Sequence, residues 1–177
     1  LLFGANNFRL KGLADLLIAI AEYKQKYSSG RVTCIIAGTG KQEKYKKLAQ
    51  KLNVLEDLYF AGYQSEIQPW LIFCNAAVLP SYYDPCSRFI LEGLALRKPV
   101  ITTRFNGASE YYLNKKHGII LDSPDNIEQF TDGLDFLANP ENRQKANESI
   151  KQDNLLKKVS IQNHVEKIIE LYKKILN

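Results

Sequence analysis

The sequence predicts an α/β fold built on a parallel sheet of six strands with helices on both faces. Short β-branched runs alternate with longer segments of helical period, and Gly, Pro, Ser and Asn cluster between them. The length agrees, because 177 residues bury one substantial core and fall in the range of a single domain. Strands are expected at 1–5, 32–37, 58–61, 76–80, 100–103 and 119–121, which together make a complete Rossmann-like sheet.

Between the first two strands, Leu13, Leu16, Leu17, Ile20 and Tyr27 recur at three- and four-residue steps. They mark the buried face of a helix that should end near Ser28-Ser29-Gly30. The Lys-rich runs 41–51 and 151–158 read as solvated and helical. After the start signal Ser123-Pro124-Asp125, the same period returns at Ile127, Phe130, Leu134 and Leu137, and this helix should stop near Asn139-Pro140. A polar stretch, 139–158, then separates the sheet from a terminal helix. That helix opens on Ser160, a good N-cap, and carries Val165, Ile168, Ile169, Tyr172, Ile175 and Leu176 on one stripe. The expected division is a ligand-binding domain at 1–159 and a helix at 160–177 that docks on something outside this sequence. Leu1 already lies in a hydrophobic strand and the chain has no Met, so it reads as part of a longer protein.

With 45% hydrophobic and 24% charged residues, the composition is that of an ordinary soluble globular protein. No apolar run approaches the roughly 18 to 20 residues of a membrane span, and no signal peptide is evident. The net charge of +5 suits an anionic ligand, but much of the excess lies in solvated helical runs, so nucleic acid is not an expected partner. Cys34, Cys74 and Cys86 have neither disulfide nor zinc spacing and read as free thiols of a reducing, cytoplasmic compartment. His117 and His164 stand far apart with no ligand at metal spacing, there is no Asp-x-Asp pair, and no Gly-x-Ser-x-Gly elbow occurs. No metal or cofactor is expected.

Four segments at strand ends are candidates for chemistry. Asn6-Asn7-Phe8-Arg9-Leu10-Lys11-Gly12 joins the first strand to the first helix, where two cations beside helix N–H groups favour a diphosphate; it reads equally as a solvated loop. Gly38-Thr39-Gly40 ends the second strand, but Glu43 stands where a dinucleotide fingerprint needs its third glycine, so a tight turn near the ligand is the better reading.

The third segment is the most specific. A strand ends at Pro80, a loop carries Asp84-Pro85-Cys86, and a helix begins near Ser87 and runs through Glu92 toward Arg97. The N–H groups of Ser87, Arg88 and Phe89 would be unpaired first-turn donors for phosphate or sugar oxygens. Seven residues separate Asp84 from Glu92; a carboxylate in a cleft accepts from sugar or ribose hydroxyls, although a helix-end charge and a surface Glu would look the same. The fourth is Arg104-Phe105-Asn106-Gly107-Ala108-Ser109-Glu110, in which Gly107 permits close backbone approach and Glu110 orients the loop or caps the helix; a structural turn is the rival reading.

In fixed order, Lys11-Gly12, Ile35-Ile36-Ala37-Gly38-Thr39-Gly40, Leu58-Tyr59-Phe60-Ala61-Gly62-Tyr63, Val78-Leu79-Pro80-Ser81, the span 84–92, Lys98-Pro99-Val100-Ile101 and Asn106-Gly107-Ala108-Ser109-Glu110 cover nearly the whole chain. Together they resemble the C-terminal, donor-binding domain of GT-B glycosyltransferases of family 4, the glycosyl transferases group 1. The resemblance implies a retaining, metal-independent transferase acting on a UDP-, GDP- or ADP-linked sugar. It implies that Lys11, with Arg9, contacts the donor diphosphate, that Glu92 binds the ribose hydroxyls as the second acid of Glu-x7-Glu, and that Asp84 lies beside the donor sugar. The backbone around Cys86, Ser87 and Arg88 would hold the sugar and distal phosphate, with Gly62-Tyr63-Gln64 near the base. Asp84 replaces the usual Glu, one methylene longer, and Pro85-Cys86 replaces the usual Gly-Phe.

The implied mechanism is electrostatic stabilisation of the leaving diphosphate by Lys11, Arg9 and the helix N-terminus near Ser87, without a protein nucleophile. The implied partners are the nucleotide-sugar donor, an N-terminal acceptor domain of the same protein, and a glycan or lipid-linked acceptor, the last bringing peripheral association with the cytoplasmic face of a membrane. The competing expectation is a non-catalytic nucleotide-sugar-binding module or degenerate transferase. A sugar epimerase of the same fold would need catalytic acids and a histidine that are not found.

Overall fold

The computed structural model of the chain describes residues 1–27 and 31–176. Six strands form one sheet: β1 Leu2–Gly4, β2 Cys34–Ala37, β3 Leu58–Gly62, β4 Ala77–Leu79, β5 Val100–Thr103 and β6 Gly118–Leu121. Every pairing is parallel, in the order β3-β2-β1-β4-β5-β6. Strand order reverses between β1 and β4, and in open α/β sheets the crevice at such a reversal is where ligands bind, outside the carboxyl ends of the strands.

Helices α1 Leu13–Lys26, α2 Gln42–Lys51, α3 Gln68–Phe73, α4 Arg88–Ala95 and α5 Ile127–Ala138 connect or cover the strands. On one face α1 packs against α2 and α5. Its expected face is buried at Leu13, Leu16, Leu17 and Ile20, joined by Tyr23, while Tyr27 at its end is half-buried. The stop signal Ser28-Ser29-Gly30 lies outside the described residues. Leu2 and Phe3 of β1, Ile36 of β2 and Leu79 of β4 are enclosed with Phe130 of α5 and Ile90 and Leu94 of α4. Full burial of one such side chain stabilises by roughly 1.5–3 kcal/mol, so the aliphatic periods that mark the elements also hold them on the sheet.

Helix α5 begins two residues after the proposed start signal, because Asn126 Oδ1 accepts from Gln129 N–H at 3.1 Å and acts as N-cap in place of Ser123 or Asp125. The polar stretch 139–158 is helical throughout most of its length: α6 Pro140–Gln152, not expected as a helix over its first part, and α7 Leu155–Lys158, within the expected helical run 151–158, follow α5 directly. Asn139 caps α6 by accepting from Glu141 N–H at 2.8 Å, and Pro140 sits in its first turn, where a missing N–H costs nothing. Only Ala146 and Ile150 of α6 are buried, too few to write a stripe in the sequence. The terminal helix α8 Ile161–Leu176 starts as expected, with Asn163 N–H donating to Ser160 Oγ at 3.2 Å. None of its side chains is buried.

Candidate functional site

At the carboxyl edge of the sheet, the loops after β1 and β4 are tied together at several points. Phe8 anchors the first loop: it is buried and meets Phe3 and Tyr45 edge-on, with ring centroids 5.8 and 5.6 Å away. Leu10 and Lys11 therefore hang on a packed aromatic rather than on a free solvated loop. Tyr82 N–H donates to Leu10 O at 3.0 Å, and the Tyr82 hydroxyl donates to Asp15 Oδ1 at 3.0 Å. Burial and the neighbouring Asp15 push the Tyr82 phenol up to about 12, so it stays a donor at neutral pH.

Lys11 and Asp84, 73 residues apart in sequence, form an ion pair of 2.8 Å. The ammonium also donates to Tyr83 O at 3.0 Å. The two side chains retain 18% and 13% of their exposure, so the pair is largely shielded from bulk water. A lysine ammonium has three N–H donors, and two are committed to the β4–α4 loop. Arg9 is exposed and its side chain makes no hydrogen bond or ion pair among the described residues, so the structure brings Lys11, not Arg9, to the acid.

Asp84 is also zipped to the loop after β5: its N–H donates to Phe105 O at 3.1 Å and its carbonyl accepts from Gly107 N–H at 2.9 Å. A Cβ on Gly107 would overlap the Pro85 carbonyl, so this approach requires glycine. Asn106 is the pin. It is fully buried, and its Oδ1 accepts from Ser87 N–H at 3.2 Å and from Ala108 N–H at 3.0 Å. The Ser87 N–H, expected among the free first-turn donors, is thus satisfied within the protein, while the Ser87 hydroxyl caps α4 by accepting from Ile90 N–H at 3.4 Å. Arg88 and Phe89 N–H groups remain without a partner among the described residues. Glu110, expected to orient or cap, is exposed; Asn106 caps that 3₁₀ turn, Gly107–Tyr111.

Beside these loops lies a cleft of about 270 Å³ lined by Gly4, Ala5, Asn6, Gly38, Tyr63, Gln64, Ile67, Arg88, Phe89 and Glu92, among others. Of the residues expected at the site, Gly38, Tyr63, Arg88, Phe89 and Glu92 meet here. Gly38 adopts φ 138 and its N–H donates to the Gly62 carbonyl at 2.7 Å, which fastens the β2 end to the β3 end. A Cβ there would overlap the Ala5 carbonyl. The neighbouring Thr39 hydroxyl donates to Asn6 Oδ1 at 3.1 Å. Tyr63 is exposed, and Gly62 lies behind it at the strand end.

Glu92, in the second turn of α4, has its carboxyl raised above the usual range by burial, with Arg88 one turn earlier acting in the opposite sense. Gln68 Nε2 donates to Glu92 Oε2 at 3.4 Å. Cys86 lies outside this cleft: with Arg88 and Glu92 it lines a wider groove of about 460 Å³ between α4 and the start of α8. Burial and the nearby Asp84 and Glu110 hold its thiol above the usual range, which lowers its thiolate fraction. Glu110 lines a further hollow with His117 and Asp153. Among the described residues no group of three or more His, Cys, Asp or Glu side chains is placed to hold a metal ion, and no helix is long and apolar enough to cross a membrane.

Gln68 and Trp70 escaped the sequence reading of the site, and Phe8 and Asn106 stood in its candidate segments with no role given. Asn106 carried a usable signal, since Asn before a Gly-Ala turn is a cap type. Gln68 reaches Glu92 and Phe8 reaches Tyr45 from far along the chain, and the nearer Trp70–Gln64 contact follows no motif.

Comparison with known proteins gives this geometry its context. A family model described as "Glycosyl transferases group 1" matches residues 1–153. The chain is 31% identical over 112 residues to glycogen synthase of Mycobacterium tuberculosis, a match covering 62% of the chain and 27% of that protein. It is 29% identical over 116 residues to the lipopolysaccharide core biosynthesis glycosyltransferase LpsE of Rhizobium meliloti, covering 65% and 32%. A solved glycosyltransferase structure from Rickettsia africae superposes with a TM-score of 0.80 at 24% identity, covering 99% of the chain and 47% of the other. The matches thus span about a third or less of the two sequence relatives' length, and just under half of the solved chain.

Proposed function

The chain belongs to the glycosyl transferases group 1 family, and from that premise we propose that it is the donor-binding domain of a retaining, metal-independent glycosyltransferase. The donor is a nucleoside-diphosphate sugar and the acceptor a glycan or lipid-linked glycan. The observation that carries the reading is the convergence, at the reversal of strand order, of the Lys11–Asp84 ion pair, the free first-turn N–H groups of α4 and the half-buried Glu92.

In this reading the third N–H of Lys11 and the N–H groups of Arg88 and Phe89 meet the phosphate oxygens, where negative charge grows as the glycosidic bond breaks. Ionised Glu92 accepts from ribose hydroxyls, and Tyr63 offers its exposed ring to the base. Asp84 stands beside the sugar while it holds Lys11. The positive charge comes from the chain itself, and no side chain acts as nucleophile. Residues 160–177 dock on the acceptor-binding part of the full-length protein, because the apolar stripe of α8 is exposed from Ile161 to Leu176. A lipid-linked acceptor would bring the enzyme to the inner face of a membrane.

Calorimetric titration with UDP, GDP and ADP tests the reading. Binding of at least one is expected, weakened about 10- to 100-fold by Lys11→Ala or Glu92→Ala, each of which removes a hydrogen bond to a charged group. The absence of binding by all three would sink it.

A further inference from the structure

Helix α3, six residues long, follows Ile67, which lines the cleft, and carries no residue assigned above to donor contact. Two of its polar side chains nevertheless reach groups that line the cleft. Trp70 Nε1 donates to Gln64 Oε1 at 3.0 Å, and Gln64 Nε2 in turn donates to Ala61 O at 2.8 Å. The Gln64 amide is thereby held at both ends, and the loop after β3 is clamped to α3. The Trp70 ring is itself fixed, stacked on Tyr59 at 6.4 Å with an interplanar angle of 22°. The main-chain N–H and C=O groups of Tyr63 and Gln64 make no hydrogen bond among the described residues, so the clamp leaves them free. Two residues back along α3, Gln68 Nε2 donates to Glu92 Oε2 at 3.4 Å. An ionised carboxylate has about four acceptor sites on two oxygens, and a donor on Oε2 fixes which way the plane turns and leaves Oε1 for a ligand.

We propose that Gln68 and Trp70 are positioning residues for the nucleoside half of the donor: Gln68 orients Glu92 toward the ribose, and Trp70, through Gln64, sets the loop that meets the base. The proposal deepens the donor-binding reading and rests on it. Neither side chain touches the nucleotide; each holds a group that does. Such support is what keeps a binding residue within the small tolerance that recognition requires.

The test titrates the 177-residue chain with UDP, GDP and ADP, with the 2′-deoxy counterpart of the tightest binder, and with inorganic pyrophosphate. Gln68→Leu alters an exposed position and should fold normally; it is expected to shrink the ribo-to-deoxy affinity ratio about fivefold, the loss of one ordinary hydrogen bond. Trp70→Phe keeps a ring on Tyr59 and deletes the indole N–H, and should weaken the nucleotide about fivefold to tenfold. Pyrophosphate, which has neither ribose nor base, should bind both variants as it binds the parent. Unchanged nucleotide affinity and ratio in both variants overturns the proposal, as does an equal loss for pyrophosphate, which would mean general damage. If the parent binds pyrophosphate but no nucleotide, the donor-site reading itself fails and this proposal with it.

Discussion

Lys11 holds Asp84 in a shielded ion pair, so under the proposed donor-site reading a diphosphate would compete for an ammonium that is already partly neutralised. Asp84→Asn should therefore raise affinity for the free nucleoside diphosphate by about threefold to tenfold, the range set by weakening one charge-assisted bond, while sugar transfer by the full-length enzyme falls. Weaker nucleotide binding in that variant would mean that Asp84 organises the site more than it restrains Lys11. Asn106→Ala removes the acceptor shared by Ser87 and Ala108 N–H groups and should cost about 1–3 kcal/mol in urea unfolding, because two buried donors lose their partner.

His117 gives a pH signature. Its Nδ1 accepts from Leu113 N–H at 3.1 Å and its Nε2 meets Asp153 Oδ2 at 2.9 Å, which fits the neutral ring with its proton on Nε2. Burial pushes the imidazole below its ordinary value of 6.5, outweighing Asp153. Because the folded form takes up its proton at lower pH than the unfolded chain, the stability it contributes is complete above about 6.5 and is lost as pH falls through the folded value. Urea midpoints should drop between neutral pH and pH about 5, and His117→Gln should flatten that part of the profile. Asp153, held below its ordinary range first by Lys116, adds its own loss only at more acid pH.

Among the elements, the strands and α1, α4, α5 and α8 were legible because each buries or displays a regular apolar period, as Leu13, Leu16, Leu17 and Ile20 do in α1. Helix α6 was not, since two buried residues in thirteen leave no stripe and its determinants are a cap and a proline. The site divides the same way. Lys11, Asp84 and Glu92 stand in ordered motifs at strand and helix ends, and the structure places Lys11 on Asp84 and Glu92 in the cleft. The fate of the Ser87 N–H was not legible, because it depends on Asn106, 19 residues away across two loops. Helix α8 makes its own prediction. None of its side chains is buried, so deleting residues 160–177 should leave the unfolding midpoint within a few degrees and lower any self-association seen by light scattering. A large loss of stability would mean that α8 belongs to this domain.

At the scale of the molecule, a parallel sheet with reversed strand order gathers the ends of β1, β2, β3 and β4 around one cleft, and the glycines and Asn106 let their loops approach closely enough to share it. The +5 charge is compatible with an anionic ligand, but the site draws on a few placed groups, chiefly Lys11 and the first turn of α4. Thermal unfolding in a panel of UDP-, GDP- and ADP-linked sugars tests the donor-site claim most directly. A ligand at about 100 times its Kd stabilises the folded state by about 2.7 kcal/mol, which for a chain of this size raises the midpoint by about 5–10 °C. Such a rise is expected for at least one nucleotide sugar, cut to about half or less in Glu92→Ala at the same concentration; unchanged midpoints with every sugar at millimolar concentration would overturn the donor site.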